Sequence, residues 1–273
     1  MAVERGLSDG QVALCVEELL EAARSGEPIA PARVRRPEMT IADSYAVQRL
    51  WRERREADGG EVVGFKIGLT SVAMQQAFGL DEPDYGVIFA DQVLESGVTA
   101  AAATWNRARV EVELSFILDH ALVPGAGSGP DGALTGADVL AATHSVVPSL
   151  EILDCHVREE GMTVIDTIAD NAALGAVVRG DREFDPASFD LSWVGAKLRI
   201  NGEIVETGVS GAVLGHPADS AAWLANRFAE QGETIPAGSL LLSGSFTRPL
   251  PVAAGDTVVA EYQGMGEVRV QFT

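Results

Sequence analysis

Two early stretches repeat apolar residues at helical spacing, and the chain then changes to short apolar runs separated by glycine. Over residues 8–25, Val12, Leu14, Cys15, Leu19, Leu20 and Ala23 fall on one side of an amphipathic helix; Ser8 or Asp9 can cap it and Gly26 would end it. Proline punctuation from Pro28 to Pro37 predicts an irregular connector. A second helix is expected after Thr40, through Tyr45, Val47, Leu50 and Trp51 to the charged run 52–56, stopping at Gly59 and Gly60. These segments make residues 1–61 an N-terminal helical part, a flank or lid without independent stability, and leave residues 62–273 as a β-rich body.

Within that body, Val63–Gly68 reads as a strand carrying one lysine, followed by a short helix over Ser71–Phe78 and a turn over Asp81–Gly86. Residues 124–132 are loop by composition, and Thr135 can cap a helix from Ala137 to His144. Pro148 introduces the apolar run Leu150–Val157, and the small, apolar stretch Thr163–Val178 holds the polar pair Asp170 and Asn171. Asn201-Gly202 between alternating flanks predicts a hairpin with a type I′ turn over Ala196–Val205. A helix over Pro217–Gln231 with Ala221, Leu224, Ala225 and Phe228 inward precedes strands at Leu240–Gly244, Val258–Tyr262 and Val268–Phe272, the last two joined across Gly264–Gly266. The expected class is α+β: a twisted mixed sheet or roll with peripheral helices.

Arg109–Leu118 carries the most informative chemistry. In a strand, Glu111 and Glu113 share a face, and the following Leu-Ser-Phe-Ile-Leu run implies burial, where unpaired carboxylates are costly. A hard divalent cation such as Mg²⁺ or Mn²⁺ would resolve the conflict; a charged, aggregation-resistant edge strand is the alternative. A third ligand would come from Glu151 or from nearby Asp154. Lys66, among Phe65, Ile67 and Leu69, either snorkels outward or is partly desolvated with a lowered pKa.

Composition narrows the partners. The chain has 273 residues and a net charge of −20, which disfavours nucleic acid and anionic membranes, so an anionic substrate would need a local cation to attract it. Cys15 and Cys155 are far apart, no apolar run is long enough to span a bilayer and the N-terminus lacks a signal pattern, so a cytoplasmic location is expected. His120, His144, His156 and His216 lack HxH or HExxH spacing, Gly208–Ala212 misses the nucleophile elbow pattern, and no phosphate-binding glycine loop occurs.

Gly64–Ser71, Glu82–Gly86, Arg109–Glu113, Pro148–Asp154 and Asp170–Ala172 stand in the order seen in the 2-keto-4-pentenoate hydratase family, which the chain resembles over roughly residues 40–272. That family lies within the fumarylacetoacetate hydrolase superfamily and also holds 2-oxohept-4-ene-1,7-dioate hydratase and 4-oxalocrotonate decarboxylase. The resemblance implies a mixed β-roll of the fumarylacetoacetate hydrolase C-terminal-domain type with an N-terminal helical part. It implies a Mg²⁺ or Mn²⁺ site made by Glu111, Glu113 and Glu151, with Lys66 and Asp84 as catalytic residues and Asp170 and Asn171 close to the substrate. The stretch Gly244–Val252 looks closer to the dioate hydratase branch, which adds Ser245 and Arg248 as substrate contacts, Arg248 on a distal carboxylate. Hydration of a 2-hydroxy-dienoate from aromatic meta-cleavage is the implied activity; the alternatives are decarboxylation of an oxalocrotonate-type 2-oxo acid or a non-catalytic partner subunit. A homo-oligomer, associating with a pathway aldolase or decarboxylase, is implied as well.

Overall fold

The computed structural model of the protein describes residues 5–71, 75, 80 and 82–273. Helix α1 (Asp9–Ser25) starts where Ser8 and Gln11 close a capping box and ends at Gly26, whose φ of 73° suits a residue without a side chain. The connector holds one helical turn, α2 (Ala32–Arg35), despite its prolines, because Pro31 precedes the turn and the Ala32 amide donates to the buried Asp166 carboxylate. Helix α3 (Ile41–Ala57) is capped by Thr40 and Asp43. Val12, Val16 and Leu19 of α1 and Val47 of α3 pack with Cys155, Val157 and Ala169 further along the chain.

Two sheets form the remainder. The larger one runs β2 (Asp84–Phe89), β1 (Val62–Gly68), β10 (Leu240–Leu242), β5 (Arg109–Leu118), β6 (Thr143–Leu153), β7 (Leu174–Arg179) and β3 (Val93–Glu95), with β11 (Leu250–Pro251) also on β5. The β1–β10 and β3–β7 pairs are parallel and the others antiparallel. The smaller sheet runs β4 (Val98–Ala100), β13 (Gly266–Phe272), β12 (Thr257–Tyr262), β8 (Gly195–Ile200) and β9 (Glu203–Val209). Helices α4 (Gly136–Ala142), α5 (Val164–Ala169) and α6 (Pro217–Ala229) pack around them. The architecture is the mixed α+β one read from the sequence, built from open sheets.

Alternation along β5 divides core from cavity. Val110, Val112, Leu114 and Phe116 are fully buried in one cluster with Leu198, Val258, Val268 and Phe272 of the smaller sheet. Each such side chain contributes roughly 1.5–3 kcal/mol through burial. The odd-numbered side chains, Arg109, Glu111 and Glu113, therefore project to the other face. Strand β5 is paired along both edges, which excludes the edge-strand explanation of its acids.

The hairpin forms as expected, with Asn201 at φ 53° and Gly202 at φ 85°. The buried side of α6 carries Ala221, Leu224, Ala225 and Phe228, with Phe228 edge-on to Phe65 and Tyr85. Other expectations are corrected. Asp84 lies in β2 rather than in a turn, because Gly68 pairs opposite it. His144 belongs to β6, since the helix capped by Thr135 stops at Ala142 and Thr143 already pairs with Leu118. Pro148 sits inside β6: its carbonyl accepts from Gly180 on the β7 side, so its missing N–H falls just past the end of β7. The helix expected over residues 71–78 lies for the most part outside the described residues.

Candidate active site

The β5–β6 register sets Glu111 directly opposite Glu151 and Glu113 opposite Ser149. Opposed residues of an antiparallel pair share a face, so three carboxylates converge there, with one oxygen from each of Glu111, Glu113 and Glu151 within 4.8 Å of the others. The rival acid, Asp154, points elsewhere: its Oδ1 accepts from the Asn106 and Arg107 amides, and its Oδ2 lies 3.4 Å from His156 Nε2.

Strands β1 and β2 bring the other two charged groups. Lys66 is buried rather than snorkelling, and its Nζ is 3.2 Å from Glu151 Oε1. The pair is close but poorly directed, so Glu151 Oε1 has no hydrogen-bond partner among the described residues; the same holds for the buried Asp84 Oδ1. Gly68 makes the approach possible, because a Cβ there would collide with Asp84 Oδ1 and crowd Lys66 Nζ. Gly244 N donates to Glu113 Oε2 at 2.7 Å, and the buried Tyr262 hydroxyl donates to the Ser149 carbonyl behind it.

Four acids crowd one lysine, so the cluster resists full ionisation. Burial, followed by repulsion from Glu151, pushes Glu111 up to about 8 and holds Glu113 well above its ordinary value. Burial also lifts Asp84 to about 6, against the pull of Lys66. For Lys66 burial favours the neutral amine, but Glu151, Asp84, Glu111 and Glu113 outweigh it and the pKa is raised. Neither alternative read from the sequence, an outward snorkel or a lowered pKa, holds: carboxylates from β2, β5 and β6, invisible to local reading, lie around the ammonium.

These residues fit a divalent cation. All three converging donors are hard carboxylate oxygens, one of them is buried without a hydrogen bond, and only added positive charge would let all three ionise together.

A cavity of about 520 Å³ opens over this cluster. Lys66, Asp84, Glu111 and Glu113 line its acidic part, Ile67, Leu69, Leu153, Met162 and Phe246 add apolar wall, and Arg107, Arg109, Glu159, Glu206 and Arg248 add a charged rim. Ser245 lines the cavity, with its hydroxyl bonded to the Val112 and Thr247 carbonyls. Arg248 also lines it but is 77% exposed and paired with Glu206.

Asp170 and Asn171 do not line the cavity. Asp170 instead accepts from His156 N and meets His156 Nδ1 at 2.9 Å, which raises the imidazole pKa against the opposing effect of burial. Asn171 bonds the Val87 amide and carbonyl through its side chain and so locks α5 to β2. The two residues stand next to the cavity, since the following Ala172 and Ala173 carry the chain along its wall in the left-handed conformation, with φ of 52° and 57°. Sequence reasoning missed Gly68, Tyr262, Arg107 and Glu159; only Arg109 carried a legible signal, standing two residues before Glu111 on the same strand face.

An open mixed-sheet body with an acid-lined cavity defines the class: residues 157–273 match the fumarylacetoacetate (FAA) hydrolase C-terminal family. The three converging glutamates precede that matched segment. Over its length the chain is 41% identical across 265 residues to 2-oxo-hept-4-ene-1,7-dioate hydratase of Escherichia coli, covering 95% of this chain and 97% of that protein. It is 38% identical across 256 residues to 2-keto-4-pentenoate hydratase of Paraburkholderia xenovorans, covering 94% and 93%. The structure of 4-oxalocrotonate decarboxylase from Pseudomonas putida G7, complexed with magnesium and adipate, superposes with a TM-score of 0.93 at 36% identity, covering 99% of this chain and all of that one. The chain belongs to the 2-keto-4-pentenoate hydratase and 2-oxo-hept-4-ene-1,7-dioate hydratase family.

Proposed function

We propose that the protein is a metal-dependent hydro-lyase that adds water to a 2-hydroxy-dienoate or 2-oxo-enoate acid, giving a 4-hydroxy-2-oxo acid in aromatic meta-cleavage catabolism. The observation that carries this reading is the convergence of Glu111, Glu113 and Glu151 at a cavity that Glu111, Glu113, Lys66 and Asp84 line. The hydratase relatives and the magnesium in the related decarboxylase support it.

Glu111, Glu113 and Glu151 would hold Mg²⁺ or Mn²⁺. When bound, the ion supplies positive charge that favours enolate character at the 2-oxygen of the substrate. Lys66 Nζ holds the proton that moves along the conjugated chain, leaving an enone open to water two carbons beyond the carbonyl. Asp84 positions or activates that water through Oδ1, the oxygen left without a hydrogen bond among the described residues. Ile67, Leu69 and Phe246 limit competing water around the substrate.

Residues 1–61 act as a flank of the catalytic body at 62–273, and the enzyme works in the cytoplasm as a homo-oligomer. No helix among the described residues is long and apolar enough to cross a membrane.

Decarboxylation of a 2-oxo acid is the second reading, favoured by the close superposition on the decarboxylase, since the same charge distribution would stabilise the enolate left by CO₂ loss. Incubation with Mg²⁺ and 2-hydroxypenta-2,4-dienoate separates the two. Consumption of the dienol without CO₂ supports hydration; CO₂ release from an oxalocrotonate substrate supports decarboxylation. Inertness toward both, and toward a seven-carbon diacid dienoate, would reject both readings.

A further inference from the structure

The odd-numbered face of β5 runs outward from the acids. Glu113 is buried, Glu111 is half-buried, and Arg109 reaches the rim with 38% of its side chain exposed. One two-residue step of a strand is roughly 6–7 Å, about what separates the 2-oxo end of a seven-carbon diacid from its far carboxylate. Arg107 joins Arg109 at this point. Both guanidinium groups converge on one carboxylate, with Arg109 Nη2 2.6 Å from Glu159 Oε1 and Arg107 Nη1 3.3 Å from Glu159 Oε2.

Arg107 is itself positioned. Its Nη2 donates to the Val157 carbonyl at 2.6 Å and its backbone amide to Asp154 Oδ1, while its buried Nε has no hydrogen-bond partner among the described residues. Glu159 is the freer side of the contact, being 60% exposed and on the irregular segment after β6. A screened contact of this kind is weak, so another carboxylate can exchange into it.

We infer that Arg109 and Arg107 form a carboxylate-binding fork for the far end of a diacid substrate, and that Glu159 occupies the fork until such a substrate displaces it. The inference rests on the hydratase reading and narrows the substrate to a 2-oxo-enoate with a second, distal carboxylate. It moves that role from Arg248, which is largely exposed and bound to Glu206, to a pair aligned with the acid cluster.

Steady-state kinetics with Mg²⁺ on a five-carbon monoacid dienoate and a seven-carbon diacid dienoate test it. Arg109→Met should lower the diacid-to-monoacid ratio of kcat/KM at least tenfold, mainly through KM for the diacid. Glu159→Gln should raise that ratio by removing the internal competitor. Equal effects of Arg109→Met on both substrates, or a lower ratio in Glu159→Gln, would overturn the inference while leaving hydration intact; absence of turnover on both substrates in the unaltered protein would reject the hydratase reading instead.

Discussion

Glu111 and Glu151 face one another across the β5–β6 pair, and Glu113 adds a third carboxylate within 4.8 Å. With its raised pKa, Glu111 keeps a proton up to about pH 8 that the unfolded chain releases near 4.5, Asp84 keeps one up to about 6 that the unfolded chain releases near 3.8, and burial holds Glu113 above its ordinary value as well. Between about pH 4.5 and 8 the native state therefore binds more protons than the unfolded state, and stability falls as pH rises. Divalent metal binding opposes this because it favours the ionised carboxylates. Thermal unfolding in EDTA should show Tm decreasing across this window, with the gain on adding Mg²⁺ larger at pH 8 than at pH 5. A gain independent of pH would separate these acids from the metal.

Among the described residues Lys66 is the one buried cation beside those acids, so replacing it removes charge balance as well as a proton carrier. Breaking a buried ion pair from one side costs about 3–5 kcal/mol. Lys66→Met should be markedly less stable in EDTA, recover much of that stability with Mg²⁺, and still not turn over. Calorimetry of Mg²⁺ binding alongside the dienoate assay checks both halves; measurable turnover would remove Lys66 from the mechanism.

Gly68 leaves the space that Asp84 Oδ1 and Lys66 Nζ approach. Gly68→Ala keeps the strand but displaces the Asp84 carboxylate, so kcat should drop on the order of 100-fold, the scale of a misplaced catalytic group, while Mg²⁺ affinity stays within a few-fold. An unaltered kcat would show that the placement of Asp84 does not matter to the reaction.

Asn171 satisfies both polar groups of Val87 from behind the cavity wall. Asn171→Ala leaves them buried and unbonded, at a cost of about 1–3 kcal/mol. Its Cm in urea should fall, with KM changed less than threefold. A large rise in KM with unchanged stability would return Asn171 to the substrate site.

Local features were legible in the chain itself. Ser8 with Gln11 and Thr40 with Asp43 cap their helices, Asn201-Gly202 turns its hairpin, and the two-residue period of β5 puts Glu111 and Glu113 on one face, because each depends on neighbours a few residues away. Partners from distant positions were decided only by tertiary structure. Strand register selected Glu151 over Asp154 and drew Asp84 into β2 opposite Gly68, while packing of the segments between strands set Asp170 on His156, Asn171 on Val87, and Arg107 and Arg109 on Glu159. A one-residue slip in register would exchange the two faces of a strand, and what fixes register here is the burial of Val110, Val112, Leu114 and Phe116 against a second sheet formed from residues far along the chain.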